Sequence, residues 1–422
     1  MAVRILIYGL NYAPERTGIG KYTGEMAAWL VTQGHEVHVV TTPPYYPMWQ
    51  VDASYWGWAY RCESVDGVQV YRCPLWVKPN PSGLERLLHL ASFALSSVPV
   101  ILGHLFWRAD VVMVLEPAFF CVPMGLLVAR LGGSRSWLHI QDFEIDAAFD
   151  LGIIPSRWGL DRFVQRLEYW LTASFDRIST ISPAMVQRLG EKGIPAAKQV
   201  LFPNWVDTTQ IYPLDHPSPL RTELGIPPEA LVVLYAGNMG KKQGLELLIE
   251  VAAALHGDPA WHFVLCGDGV SRQTLQEQVS GRQLTNVTFL PLQPIERLNE
   301  LLNMADVHAL IQKEASADLV MPSKLTGMLA SGRPILATAQ PETAIGQVFA
   351  FADCGLLVPP EDPQAWQQAL LAMGRDPEKR QHWGSQARSY ACQHLSQEAI
   401  LADFAQTLEA LAVPSRANRD EP

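Results

Sequence analysis

The chain has 422 residues, of which 48% are hydrophobic and 18% are charged, and this is enough apolar material for two hydrophobic cores. Its formal net charge of -10 argues against a nucleic-acid partner, because a phosphate backbone needs a basic protein face. The 6 cysteines include no CxxC pair and no histidines lie at ligand spacing, so we expect reduced thiols and no metal site.

Short apolar runs alternate with helical stretches along the chain. The first residues, MAVRILIYGL, lack the features of a signal peptide and predict a first strand of a cytoplasmic protein. Further runs in the first half are HEVHVVTT, VQVYRCP, DVVMVLEP, SWLHIQD, RISTIS and QVLFPNW. Those in the second half are LVVLYAG, WHFVLCG, NVTFLPL, DVHALI, RPILATA and GLLVPP. Continuous apolar strands that alternate with helices predict an α/β chain with two doubly wound parallel sheets.

A proline-rich stretch without clear periodicity separates the two series of strands. We predict an N-terminal domain over 1–205, a linker over 206–230, a C-terminal domain over 231–385, a helix over 386–412 that packs back on the N-terminal domain, and a polar tail over 413–422. Ligands of doubly wound sheets bind outside the carboxyl ends of the strands. The loops that follow the strands are therefore the expected place for chemistry.

The loop LNYAPERTGIGKYTGEMAAWL follows the first strand and leads into a helix that we predict near Tyr22. Gly18 and Gly20 lie just before that helix. Their spacing does not match the dinucleotide-binding pattern GxGxxG, because the glycines come too far after the strand. The loop predicts a flexible glycine lip at the strand ends, and a plain turn into the helix is the alternative.

An uncharged segment runs from Leu87 to Trp107, and its length approaches that of a membrane span. Its apolar residues recur every three or four positions, which favours an amphipathic helix. Three interpretations stay open: a helical hairpin packed in the core, a helix on a membrane surface, and a true span. A helix on a membrane surface would make peripheral contact with the inner face of the cytoplasmic membrane as a partner interaction.

Polar side chains cluster where the strand in LHIQDFEIDAAFDLG ends. Gln141, Asp142 and Glu144 follow the strand, and His139 lies on it. A carboxylate in this position could orient or deprotonate a sugar hydroxyl. For His139, a hydrogen-bonded core histidine is the alternative interpretation.

The sequence YAGNMGKKQGLELL places Lys241 and Lys242 after a strand, just before a helix that we predict near Gly244. Cations are unfavourable at the partly positive N-terminus of a helix unless an anion binds there. Glycine backbone N–H groups and lysines would together hold a diphosphate. The alternative is a solvated turn with two surface lysines.

Two later loops add similar features. In CGDGVSRQTL, Gly267 and Gly269 lie between a strand and a helix, a pattern that is also typical of an ordinary tight turn. Ser323 and Lys324 open a predicted helix after a proline, which makes Lys324 a third cation at a helix start. A diphosphate between Lys242 and Lys324 would explain both lysines.

Several of these motifs, in this order, resemble family-4 retaining glycosyltransferases of the GT-B fold, in which two Rossmann-like domains face each other across a cleft. The nearest group is the colanic-acid-type exopolysaccharide glycosyltransferases. YAPERTGIGKYTGEMAAWLVTQGHEVHVVT resembles their glycine loop and first helix, and QDFEIDAAFDLG resembles their acceptor-side loop. GNMGKKQGL and SGRPILAT resemble their phosphate loop and a late strand, and NWVD stands where many relatives carry Asn-Gly-Val-Asp.

The resemblance implies a glycosyltransferase of cell-surface polysaccharide biosynthesis. It would move a sugar from a nucleotide-diphosphate sugar to a lipid-linked or saccharide acceptor, with retention and without a metal or other cofactor. The implied catalytic residues are Gln141, Asp142 and Lys242. The implied donor-binding residues are Gly18, Gly20, Gly237, Asn238, Gly240, Lys241, Lys242, Gly267, Gly269, Ser323 and Lys324. The implied acceptor-binding residues are Lys21, His139, Glu144 and Asn204.

The chain departs from the family pattern in its charged residues. Relatives often carry Arg and Lys in the phosphate loop, where this chain has Asn238 and Gln243, and two glutamates where it has Leu319 and Gly327. Because of these departures, a GT-B binding protein that has lost its activity stays open. A sugar-nucleotide epimerase on the same architecture is a further alternative, although it needs acid and base groups and this half of the chain is poor in carboxylates.

The histidine of the usual acceptor-side His-Asp pair is replaced by Gln141, whereas Asp142 is kept. A neutral amide can hydrogen-bond to a sugar hydroxyl but cannot take its proton. A retaining path, in which the leaving phosphate accepts the proton, and an inverting path, in which Asp142 is the base, both stay open.

Overall fold

The computed structural model describes residues 2–15, 18–55, 58–79, 81–116, 119–143, 145, 160–313 and 322–417. The chain divides into two compact units, each built around its own sheet. The first unit runs to Pro203 and takes in the chain again from Leu401, and the second unit is Asn204–Ile400.

The first unit has an eight-stranded sheet among its described residues. Its strands are β1 Arg4–Tyr8, β2 Glu36–Thr41, β3 Arg61–Val65, β4 Val68–Arg72, β5 Val111–Glu116, β6 Arg135–Ile140, β7 Arg177–Thr180 and β8 Gln199–Leu201. Its α-helices are α1 Gly18–Thr32, α2 Gly83–Ser96, α3 Val98–Gly103, α4 Val122–Gly132, α5 Leu160–Ala173 and α6 Pro183–Glu191. The strand order is β3-β4-β2-β1-β5-β6-β7-β8, and all neighbours are parallel except β3 and β4. The predicted parallel sheet is confirmed.

The antiparallel strand β3 is not predicted from the sequence. Its residues alternate between exposed and half-buried positions and form no continuous apolar run. A two-residue turn joins it to β4, with positive φ angles of 50° at Asp66 and 80° at Gly67. The Asp-Gly pair between alternating residues is the sequence signal for such a hairpin.

The second unit has a six-stranded sheet whose paired neighbours are all parallel. Its strands are β9 Leu231–Ala236, β10 Trp261–Cys266, β11 Val287–Leu290, β12 Val307–Leu310, β13 Ile335–Thr338 and β14 Gly355–Val358. Its α-helices are α7 Pro219–Glu223, α8 Glu246–Ala254, α9 Arg272–Gly281, α10 Leu298–Asn303, α11 Ser323–Ala330, α12 Ala344–Ala352, α13 Pro363–Arg375 and α14 Pro377–His394. The order β11-β10-β9-β12-β13-β14 places β12 directly beside β9.

Both faces of the second sheet are covered, as continuous apolar strands predict. Along β9, Val233 and Tyr235 belong to one hydrophobic core, whereas Val232 and Leu234 belong to another. A last helix, α15 Gln397–Ala417, follows α14. Within the first unit, the ring of Phe404 on this helix stacks on that of Phe202 at 4.2 Å between centroids.

The uncharged segment that could suit a membrane forms α2 and α3. By length and composition alone, the two together are long and apolar enough to cross a membrane. Phe93 and Ile101 are buried in the first unit. Leu84, Leu88 and Leu95 are 73%, 60% and 74% exposed. These leucines therefore lie on the exposed side of α2, whereas His89 and Phe93 lie on its buried side.

Arg72, the last residue of β4, connects the loops that follow β1 and β2. Its side chain is buried, and Nε donates to Oε1 of Glu63 at 2.5 Å. Its other guanidinium nitrogens donate to the carbonyl oxygens of Thr42 at 2.9 Å and Ala13 at 2.7 Å. One buried cation thus holds together the loops at the carboxyl ends of these strands, including the glycine-containing loop that follows β1.

We expect Arg72→Ala to lower the free energy of unfolding by about 3–5 kcal/mol, because it removes the buried charged donor of two carbonyl groups and of one oxygen of the Glu63 carboxylate. Arg61→Ala is the matched control, since Arg61 pairs with the same Glu63 at 2.9 Å but its side chain is 50% exposed. We expect that variant to lose less than about 1 kcal/mol. Urea unfolding of both variants measures the difference, and equal losses would contradict the role given to Arg72.

Candidate functional site

In the second unit, the loop 237–244 after β9 packs against the loop that follows β10. The Met239 N–H donates to the Asp268 carbonyl at 2.7 Å, and the Ser271 N–H donates to the Met239 carbonyl at 2.9 Å. Met239 itself is fully buried. The two strand-end loops therefore lie backbone against backbone.

This close approach requires glycine at two positions. A Cβ atom at Gly267 would lie 2.0 Å from the carbonyl oxygen of Gly237, and one at Gly269 would lie 2.6 Å from that of Met239. Both glycines also have positive φ angles, 141° and 146°. The structure therefore gives Gly267 and Gly269 a packing role, which explains why glycine stands there.

The backbone N–H groups of the loop divide into two sets. Those of Gly237 and Gly267 donate to carbonyl oxygens of neighbouring strands at 2.9 and 3.1 Å. That of Gly269 donates to the Asp268 carboxylate at 2.8 Å. These three groups are therefore used within the protein, which corrects the expectation that they face a phosphate. Within the described part of the chain, the N–H groups of Gly240, Lys241 and Lys242 have no acceptor and are available to a ligand.

The helix after this loop begins at Glu246, two residues beyond Gly244, in agreement with the predicted start near Gly244. Gly244 has a φ of 66°, a left-handed conformation that precedes the helix. Lys241 and Lys242 are exposed in the preceding turn. The first helical turn instead carries Glu246, whose negative charge suits the helix dipole. The two lysines are therefore loop cations and not residues of the first turn.

Lys324 is the predicted cation that lies most deeply in this loop region. It sits in the first turn of α11, and its Nζ lies 4.4 Å from the centroid of the Tyr235 ring. Its Cδ is 3.6 Å from the position that a Cβ on Gly237 would take. Burial lowers the pKa of its ammonium to about 8. Among the described residues, no carboxylate pairs with Lys324, so the aromatic ring is its only observed electrostatic partner there.

The sequence predicts that the first helix begins near Tyr22, but α1 of the first unit begins at Gly18. Gly18 and Gly20 therefore lie in its first turn and not before the helix. A Cβ at Gly20 would lie 2.6 Å from Oε2 of Glu15, which explains the glycine. The predicted acceptor residue Lys21 donates to Oε2 of Glu25 at 3.1 Å. Its ammonium is thus engaged on its own helix.

Glu15 holds the glycine lip against the loop that follows β2. The buried carboxylate accepts hydrogen bonds from the N–H groups of Tyr45 and Tyr46, each at 3.0 Å, and from Asn11 at 2.9 Å. Burial raises the pKa of this carboxyl group. Neither Glu15 nor Tyr235 is predicted as a site residue, because a buried carboxylate in a loop and an aromatic in a strand carry no local sequence signal.

The predicted acceptor loop begins directly after β6. His139 is buried, its Nδ1 lies 2.8 Å from Oγ of Ser179, and burial lowers its pKa to about 3. This supports the alternative of a neutral, hydrogen-bonded core histidine. Gln141 is buried and Asp142 is exposed, whereas Glu144 lies outside the described residues.

A cavity of about 270 Å³ opens beside Phe143, between α5 and α6 of the same unit. Glu168, Tyr169 and Lys192 contribute to its lining. Nζ of Lys192 donates to both carboxylate oxygens of Glu168, at 2.9 and 3.1 Å. The other predicted acceptor residue, Asn204, is buried at the first position of the second unit.

Comparison with known proteins identifies the family. Residues 17–205 match the family described as "Glycosyl transferase 4-like domain", and residues 218–390 match "Glycosyl transferases group 1". The chain is 40% identical over 411 residues to WcaI of Escherichia coli K12, named as a colanic acid biosynthesis glycosyl transferase. That match covers 95% of this chain and 98% of WcaI. The chain belongs to the colanic-acid-type glycosyltransferases.

Solved structures show that this glycosyltransferase has the GT-B fold. Sucrose-phosphate synthase from Thermosynechococcus elongatus is similar with a TM-score of 0.73 at 17% identity, over 97% of this chain and 100% of that one. HepE from Anabaena, in complex with UDP and glucose, is similar with a TM-score of 0.68 at 16% identity, over 96% and 100% of the two chains. The predicted fold class, family and glycosyltransferase activity are confirmed.

We expect Gly267→Ala to lower the free energy of unfolding of this glycosyltransferase by about 2 kcal/mol or more, because the added Cβ collides with a backbone carbonyl. Gly257→Ala is the control, since a Cβ there meets no atom within 4 Å. We expect a change within about 0.5 kcal/mol for the control. Thermal unfolding of both variants tests the packing role. A Gly267→Ala protein with the melting temperature of the wild type would contradict it.

Proposed function

We propose that this glycosyltransferase moves a sugar from a nucleotide-diphosphate sugar to a lipid-linked or saccharide acceptor in cell-surface polysaccharide biosynthesis. The second unit takes the donor, and the first takes the acceptor. The observation that carries this proposal is the ammonium of Lys324, which lies over Tyr235 at the edge of a loop with available N–H groups. The name of WcaI and the UDP bound to HepE support the same reading.

The chemistry follows from where negative charge develops. As the bond between the anomeric carbon and the phosphate oxygen breaks, its electron pair stays on the diphosphate. Fixed N–H dipoles and lysines stabilise this charge, with Lys242 and Lys324 as the expected cations and no metal required. The acceptor oxygen bonds to the anomeric carbon and passes its proton to the departing phosphate.

This route retains the configuration of the sugar and assigns positioning tasks on the acceptor side. Gln141 cannot take a proton at neutral pH, so its amide orients a hydroxyl by hydrogen bonding. Asp142 is exposed at the end of β6 and accepts a hydrogen bond from the acceptor. The cavity beside Phe143 offers carboxylate, ammonium and aromatic groups at the same end of the sheet.

We also propose peripheral contact with the inner face of the cytoplasmic membrane, through a surface that we call the α2 face. It consists of Leu84, Leu88 and Leu95 together with Tyr60, whose hydroxyl donates to the Ser96 carbonyl at 2.8 Å. Leucines insert among acyl chains, and tyrosine is favoured at the level of the headgroups. Such contact would bring the enzyme to a lipid-linked acceptor.

The donor site predicts a pH dependence that Lys324 controls. Because the pKa of its ammonium is about 8, the free lysine loses its charge as the pH rises from 7 to above that value. We expect the dissociation constant of the bound nucleoside diphosphate to increase over this range, where the phosphates are already ionised. Lys324→Arg keeps its charge and should show a flatter profile.

Calorimetric titration with UDP, GDP, ADP and dTDP at several pH values measures this effect. Lys324→Met should bind the accepted nucleotide about tenfold or more weakly at pH 7, on the scale of one charged hydrogen bond. Failure of the wild-type protein to bind any of the four would refute the donor-site proposal.

The membrane proposal predicts that Leu88→Glu combined with Leu95→Glu strongly reduces flotation with vesicles of phosphatidylethanolamine and phosphatidylglycerol, because two charges would enter the apolar layer. Leu131→Glu is the matched control, since Leu131 is 64% exposed on another helix of the same unit. Unchanged flotation of the double variant would show that the α2 face is not the contact.

A further inference from the structure

The loop 237–244 carries two neutral amide side chains, Asn238 and Gln243, beside its lysines. Both amides lie against glycines of the two packed loops. Oδ1 of Asn238 lies 2.6 Å from the Cβ position of Gly269, and Oε1 of Gln243 lies 2.8 Å from that of Gly240. Asn238 and Gln243 therefore add no charge to that of Lys241 and Lys242, the exposed lysines of the same loop.

Gln243 also leaves a polar atom without a partner. Its Oε1 is buried and has no hydrogen-bond partner among the described residues. A buried acceptor without a donor is costly, so this position favours a ligand or water that can donate a hydrogen bond. An ionised diphosphate has no hydrogen-bond donor, so this oxygen does not contact it, and recognition of the phosphates falls to the lysines and the backbone N–H groups.

Lys313 follows β12, the strand that lies directly beside β9 in the sheet. Its side chain runs over Gly244, with Cγ and Cε at 3.0 and 3.2 Å from the Cβ position of that glycine. Its backbone N–H donates to the carbonyl of Lys242 at 3.1 Å. Lys313 is thus held against the end of the loop by both its backbone and its stem.

Two lysines from outside the loop therefore flank it. Lys324 lies against Gly237 at its start, and Lys313 lies against Gly244 at its end. In the described part of the chain, neither ammonium forms an ion pair with a carboxylate. An anion that binds between them is attracted to both charges, because partly buried charges are weakly screened by solvent.

We propose that Lys313 is a binding residue for the diphosphate of the donor. Lys313 and Lys324 together add positive charge at the two ends of the loop to that of Lys241 and Lys242. This inference rests on the proposed function, and it names one residue that the glycine-loop motif does not contain. It also predicts which part of the ligand is recognised: Lys313 contacts phosphate and not the nucleoside.

The test compares two ligands on two proteins. We expect Lys313→Met to weaken binding of the nucleoside diphosphate accepted by the wild type about tenfold to a hundredfold, the effect of losing a charged hydrogen bond. Binding of the corresponding nucleoside, measured by ligand-observed NMR, should change less than twofold. Lys313→Arg should retain most of the affinity, and Lys379→Met, which removes an exposed lysine from α14, should bind as the wild type does.

The outcomes separate this inference from the proposed function. If the wild type binds none of UDP, GDP, ADP and dTDP, both fail. If the wild type binds one of them and Lys313→Met binds it equally well, only the role of Lys313 is overturned. Equal weakening of nucleoside and nucleoside diphosphate would also overturn it, because the residue would then act on the shape of the loop. Lys313→Gln serves as a second variant if the melting temperature of Lys313→Met is lowered.

Discussion

The second unit of this glycosyltransferase depends on the contact between two backbone loops. The glycines at 267 and 269 let the loop after β10 reach the loop after β9 at distances that no side chain permits. The resulting hydrogen bonds hold the buried residue Met239 in place. The N–H groups without an acceptor in the described part of the chain are those of Gly240, Lys241 and Lys242, in the later part of the loop. The glycines thus act by packing, and the positions of the available donors follow from that packing.

Much of the fold could be predicted because the strands are continuous apolar runs. Buried parallel strands such as Val111–Glu116 need apolar side chains on both faces, so they can be recognised in the sequence as runs of consecutive apolar residues. The edge strand β3 has no such requirement, since its residues are exposed or half-buried. Likewise, the burial of His89 and Phe93 in α2 depends on neighbouring elements, which three-four spacing does not specify.

The candidate site is less predictable, because a local sequence pattern does not show which polar groups already form hydrogen bonds within the protein. The sequence places Gly237, Gly267 and Lys242 near a phosphate loop, but only the structure shows that two of these N–H groups bond to neighbouring strands. His139 is similar: its place at a strand end suggests chemistry, whereas the hydroxyl of Ser179 and full burial keep it neutral.

Sheet order explains how charges from outside the loop can be present at the same site. Because β12 pairs with β9, the residues that follow these strands meet at the same edge, although more than seventy positions separate them in the chain. Asn238 and Gln243 can then serve the packing of the loop, while Lys313 and Lys324 approach from the neighbouring strand and the helix after it. A diphosphate interacts with the positions of charges and not with their order in the sequence, so a lysine on an adjacent strand end can add to those within the motif.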